Sequence, residues 1–162
     1  MTKKIILAGG CFWGLEELIR KQPGILNTRV GYTGGSVENP TYKNHDGHAE
    51  AVEIEYNGDR TSYKNLLDFF FQIHNPTTIN QQGHDLGTSY RSAIFYSNEE
   101  EKKEAENFID IVNKSKRWKD PVATTLEPLE KFYKAEDYHQ DYLQKNPGGY
   151  TCHTIYFDSY LK

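Results

Sequence analysis

Between residues 49 and 74 the spacing of apolar side chains switches from every second position to every third or fourth, and this switch does most to limit the fold. Ala49 to Tyr56 alternates and reads as a strand, closed by Asn57-Gly58. Tyr63, Leu66, Leu67, Phe70 and Phe71 then recur at i, i+3, i+4, i+7 and i+8. That stripe marks a core-facing helix over about 61–74. Upstream, 4–8 reads as a short apolar strand turned by Gly9-Gly10. Residues 11–21 read as a helix stopped by Pro23-Gly24, and 25–33 as a second strand. Downstream, 90–97 reads as a strand, and Ser97 with Glu100 reads as a capping box for a helix whose buried stripe is Ala105, Phe108, Ile109 and Val112. A strand over 122–126 and a helix over 135–143 complete the pattern.

The order β-α-β-β-α-β predicts an α+β fold of the ferredoxin-like, split βαβ kind: a two-layer sandwich with additional helices and a loop-rich C-terminal tail over 143–162. Repeats and long linkers are lacking, so 1–162 is expected to be one catalytic domain, and a monomer. A net charge of −4 gives no general attraction to nucleic acid or anionic membrane. The longest apolar run is far below a membrane span, and Ile5–Ala8 is too short for a secretory core, so a cytoplasmic location is expected.

Cys11 lies where a strand ends in Gly-Gly and a helix begins. Free amides and the helix dipole there favour a thiolate, and the turn presents the sulfur outward. Phe12 and Trp13 follow, and one of them must leave the core face. They serve equally as core rings or as walls of an apolar pocket. On the 49–56 strand, Glu50 shares a face with Val52, Ile54 and Tyr56, which predicts a buried carboxyl kept protonated near neutral pH. The alternative is a paired or strand-end Glu that escapes to solvent. Asp85 and Tyr90 stand in a polar loop, and Tyr42 in an Asn-Pro-Thr-Tyr turn, where such residues are common without any function. Neither His45-x-x-His48 nor Cys152-His153 supplies a zinc ligand set, so no metal site is expected.

Seven segments in order, however, resemble the peptide methionine sulfoxide reductase A family. They are Gly10-Cys11-Phe12-Trp13-Gly14, Gly31-Tyr32-Thr33-Gly34-Gly35, Asn39-Pro40-Thr41-Tyr42, Gly47-His48-Ala49-Glu50-Ala51-Val52, Gly87-Thr88-Ser89-Tyr90-Arg91-Ser92, Glu136-Asp137-Tyr138-His139-Gln140 and Asn146-Pro147-Gly148-Gly149-Tyr150. The resemblance implies that Cys11 is the nucleophile attacking a sulfoxide sulfur. It also implies that Phe12 and Trp13 receive the substrate methyl, that Glu50 is the acid, and that Tyr42, Asp85 and Tyr90 orient the oxygen. Tyr142 and Tyr150 would border the site.

The same resemblance implies reduction of the S epimer of methionine sulfoxide, free or in proteins. The route would be a Cys11 sulfenic acid, a disulfide, and recycling by thioredoxin or another external thiol, with no bound cofactor. Two features depart from the family pattern. The tail cysteine comes one position late, with Thr151 between Tyr150 and Cys152, and the 42–47 segment is short. Cys152 is the sole other thiol and is expected to resolve the sulfenic acid, failing which small thiols would reduce Cys11 directly. A thiol peroxidase would need Cys11 but not the aromatic wall or an inward Glu50. A base-stacking RNA module would need a basic stripe that the chain lacks.

Overall fold

A computed structural model describes all residues, 1–162. Its elements are β1 (Thr2–Gly9), α1 (Phe12–Arg20), β2 (Ile25–Thr33), β3 (Ala49–Asn57), α2 (Tyr63–Gln72), β4 (Gln81–Gln82), β5 (Asp85–Leu86), β6 (Ser92–Tyr96), α3 (Glu99–Ser115), β7 (Thr125–Pro128), β8 (Tyr133–Lys134) and α4 (Tyr142–Lys145). Six strands form one sheet in the order β7-β6-β1-β3-β2-β8, and β4 with β5 makes a separate two-stranded ribbon. β1 runs antiparallel to both β3 and β6, and β2 antiparallel to β3. The inner order β6-β1-β3-β2 is therefore that of the split βαβ arrangement. Only β7, which joins β6 in parallel, and the two-residue β8 extend it.

Alternation assigns the two faces. Ile5, Leu7, Val30, Tyr32, Val52, Ile54 and Ile94 meet Leu15, Ile19, Leu67, Phe70, Phe71 and Phe108 from the helices in one large core. The opposite face carries Ile6, Ala8, Ala49, Ala51, Ala93 and Phe95, roofed by Leu129 and Phe132. Small residues there let a loop, rather than a helix, cover the sheet. Glu53 on that face is buried but pairs with Arg29 through two hydrogen bonds, 2.6 and 3.3 Å long.

Four local expectations are corrected. The sixth strand starts at Ser92, because Thr88–Tyr90 forms a 3-10 turn before it. The cap of α3 is Asn98, which accepts from the Glu101 amide at 2.9 Å, while the Glu101 carboxylate accepts from the Ser97 amide at 2.8 Å. The capping device is the expected one, moved by a residue. β7 begins at Thr125 rather than at residue 122, since Ala123 instead donates to the Pro76 carbonyl at 2.7 Å. The helix expected over 135–143 is a 3-10 turn (Asp137–His139) and a short α4, separated at Asp141 by a left-handed φ of 55°. The Gln140 side chain explains that break. Its amide accepts from Val30 N–H and donates to Val30 O, both at 2.9 Å, and so pairs with β2 as a backbone rung would. No helix is long and apolar enough to cross a membrane.

The tail is irregular but fastened. Tyr156 N–H donates to the Gln72 carbonyl at 2.8 Å, and Tyr160 N–H and Ser159 Oγ donate to Asp68 at 2.8 and 2.6 Å. These bonds bring residues 150–153 back over the start of α1.

Candidate active site

The strand-to-helix turn sets the site. Gly10 takes φ 94°, and a Cβ there would lie 2.6 Å from the Gln82 side chain. Only glycine therefore allows the chain to turn against that loop. Gln82 is itself fixed, accepting from Asn75 N–H at 2.8 Å and donating to Asn75 O at 2.9 Å. Cys11 follows as the residue capping α1, with no side-chain capping bond.

Cys11 is 5% exposed and unbonded to another cysteine. The expected helix N-terminal effect exists, since the Trp13 amide favours the thiolate, but it is outweighed. Burial, then the Glu50 carboxyl, push the thiol well above its ordinary range. The resting sulfur is a neutral thiol, which corrects the thiolate expected from the sequence.

Glu50 faces the helix side of β3, as its alternation with Val52, Ile54 and Tyr56 requires, and is 1% exposed. One oxygen accepts the Phe12 amide at 3.2 Å, and the other is buried with no partner. Burial raises its pKa from 4.5 to about 8 against the pull of the Phe12 amide, with Asp85 adding to the rise. At neutral pH it is mainly a carboxylic acid with an unengaged oxygen beside Cys11.

The aromatic residues divide. Trp13 is half-buried, stacks on Tyr142 at 3.8 Å between ring centres, and faces Tyr42 at 6.4 Å. Phe12 has no accessible surface and packs on Tyr32 and His139. Phe12 therefore backs the site without lining it, which corrects its expected place as a wall. Tyr42 and Tyr90 are half-buried. Both phenols are raised by burial and then by Glu50, so both stay protonated donors. Tyr150, on the rim, donates its phenol to Asp85 at 3.1 Å.

Cys152 is already docked. Its sulfur lies 3.8 Å from Asp85 Oδ2 and 3.9 Å from His153 Nδ1, and the Cys11 backbone is close enough to lower its pKa. All ten residues singled out in the sequence thus fall at or around one turn, with Phe12 beneath it.

Sequence reasoning gave no role to three supporting groups. Glu136 accepts the Tyr32 hydroxyl at 2.8 Å and the Tyr42 amide at 3.0 Å. Burial alone would raise it, but those donors bring it below the ordinary carboxylate range. His139, fully buried, accepts the Trp13 indole N–H at 2.9 Å. Both belong to the 136–140 motif, whose order was visible although its long-range partners were not. His153 donates Nε2–H to the Gly9 carbonyl at 2.6 Å and was considered only as a metal ligand. A concavity of about 540 Å³ lies away from the site, between β1, α2 and α3.

Two free thiols near one turn, beside an acid that burial keeps neutral, are the parts of an oxidoreductase site. Comparison with known proteins gives the family: the model of the peptide methionine sulfoxide reductases matches residues 3–159, and this chain belongs to that family. It is 59% identical over 152 residues to the peptide methionine sulfoxide reductase MsrA of Nocardia farcinica, covering 94% of this chain and 89% of that one. The crystal structure of Mxr1 from Saccharomyces cerevisiae in reduced form is similar at a TM-score of 0.89 and 39% identity, covering 96% and 93%. Mxr1 in complex with Trx2 is similar at 0.68 and 28%, covering 96% and 91%.

Proposed function

We propose that this chain reduces the S epimer of methionine sulfoxide, free or within proteins, to methionine, with Cys11 as nucleophile and Glu50 as acid. The observation that carries the reading is the unpartnered, buried oxygen of a neutral Glu50 next to a neutral Cys11. A sulfoxide oxygen is a poor leaving group until protonated. Glu50 gives it a proton, assisted by the Tyr42 and Tyr90 phenols, as the Cys11 sulfur bonds to the sulfoxide sulfur. The proton lost by the Cys11 thiol restores Glu50. Collapse transfers the oxygen, so that thiol plus sulfoxide become sulfenic acid plus thioether with atoms balanced. Trp13, held by His139 and Tyr142, is the surface for the substrate methyl, and Asp85 and Tyr150 border the oxygen side.

Cys152 then condenses with the sulfenic acid, releasing water and leaving a Cys11–Cys152 disulfide. Thioredoxin, or another external thiol, reduces it by exchange. The Trx2 complex of Mxr1 supports a thioredoxin as that partner. The chain works as one cytoplasmic catalytic domain, 1–162, as a monomer and without a bound cofactor or metal. Separate single turnovers on the two sulfoxide epimers, followed by mass spectrometry of the protein, test this. One methionine per chain and a loss of two hydrogens from the S epimer alone is expected. Equal turnover of both epimers, or a turnover that leaves both thiols free, refutes it.

A further inference from the structure

We propose that His153 is the general base that takes the proton of the Cys152 thiol when that sulfur attacks the Cys11 sulfenic acid. The inference rests on the reading of Cys152 as the resolving thiol. Four observations converge on it.

His153 is 8% exposed, and its Nε2 lies 2.6 Å from the Gly9 carbonyl, an acceptor only. Nε2 must therefore carry the hydrogen, leaving Nδ1 with a free lone pair. Nδ1 lies 3.9 Å from Cys152 Sγ. The imidazole is held by that Gly9 bond and lies close against Gly14, where an added Cβ would come within 2.6 Å of Nδ1. Finally, Cys152 needs a base, because burial and then Asp85 push its thiol upward.

The charges around the imidazole suit the role. Burial lowers its pKa, so it is neutral and able to accept a proton, while the Gly9 carbonyl and Asp85 favour the imidazolium once formed. The other titratable neighbours are Cys152 and the buried His74, which is itself neutral at neutral pH. Asp85 Oδ2 is at a similar distance from the sulfur, 3.8 Å, but it already accepts the Tyr150 phenol.

In the step, Nδ1 takes the Sγ–H proton, one S–S bond forms and the S–O bond of the sulfenic acid breaks. The oxygen leaves as water with its own proton and one from Glu50, which the imidazolium proton replaces through solvent. The Cys152 sulfur is oxidised and the Cys11 sulfur reduced, so no further oxidant is required.

His153→Gln tests the proposal, because the glutamine amide still donates to Gly9 but offers no base. Rapid-quench single turnover with methionine S-sulfoxide yields the ratio of disulfide formation to methionine formation. Near neutral pH the ratio falls about 100-fold, the lower range for loss of a general base. It recovers at alkaline pH, where the Cys152 thiol ionises unaided. A ratio depressed equally at all pH values makes His153 a mere tail anchor and overturns the proposal. A ratio and pH profile like wild type overturn it too, and leave Asp85 as the acceptor. If wild type makes methionine but no disulfide, the resolving reading itself fails and this one with it.

Discussion

Replacing Glu50 by Gln should make the protein more stable and the enzyme slower, and the size of the first effect follows from the site. Burial raises the Glu50 pKa from 4.5 to about 8. Between those values the native state holds a proton that the unfolded chain releases, so stability falls as pH rises, by about 1.4 kcal/mol per pH unit. The stability is full below the unfolded value and lost through the folded one. At pH 7 the accumulated loss is roughly 3 kcal/mol, levelling near roughly 5 kcal/mol above pH 8. Gln cannot ionise, keeps an acceptor for the Phe12 amide, and places its nitrogen where the unpartnered oxygen now lies. Urea denaturation of both proteins from pH 4 to pH 9 reads the difference. The variant should match wild type near pH 4, gain steadily to pH 8 and then hold constant. A difference independent of pH, or none at pH 7, would refute the claim that burial keeps this acid neutral. Turnover of methionine S-sulfoxide should drop about 100-fold in the same variant.

Three further outcomes follow from the packing around Cys11. Cys152→Ser should form one methionine per chain and then stall when thioredoxin is the reductant, as product counting would show; sustained thioredoxin-driven turnover would remove Cys152 from the cycle. Gly14→Ala would push its new methyl into His153, so thermal unfolding should report a loss of about 1–3 kcal/mol and thiol titration a slower disulfide. Glu136→Ala strips the acceptor from the Tyr42 amide and the Tyr32 hydroxyl; steady-state kinetics should show a raised KM, with about 1–3 kcal/mol lost in stability.

How much was legible depended on whether the cause was local. The alternation of 49–56 and the helical stripe of 63–71 fixed both the elements and the inward direction of Glu50, because one buried face dictates the phase of a strand. The Cys11 turn was legible for the same reason, from two glycines followed by a helix start. What stayed hidden depends on partners far along the chain. The helix over 135–143 is broken because Gln140 finds Val30, 110 positions away. Once the metal reading of Cys152-His153 falls, the sequence offers His153 no partner, and only the path of the tail brings it to Gly9. Phe12 and Trp13, adjacent in sequence, could not be ranked until the ring of Phe12 was found sealed against Tyr32 and His139.

The ionisation state of Cys11 shows why a motif-level argument reaches only so far. Placement at a helix start does supply an amide, from Trp13, and that amide does favour the thiolate. The other influences on the sulfur are burial, Glu50, Asp85 and Cys152, all of which oppose ionisation, and no lysine or arginine is among them. An isolated thiolate would therefore be a buried charge with a single weak partner, which is costly. In the proposed reaction, protonating the sulfoxide oxygen from Glu50 while the thiol proton returns to Glu50 avoids that species, because the net charge of the site stays constant throughout. A neutral acid and a neutral thiol side by side are thus mutually consistent. Each is kept protonated by the same dry surroundings, and on the proposed mechanism each becomes reactive only when the polar S–O bond of a substrate lies between them.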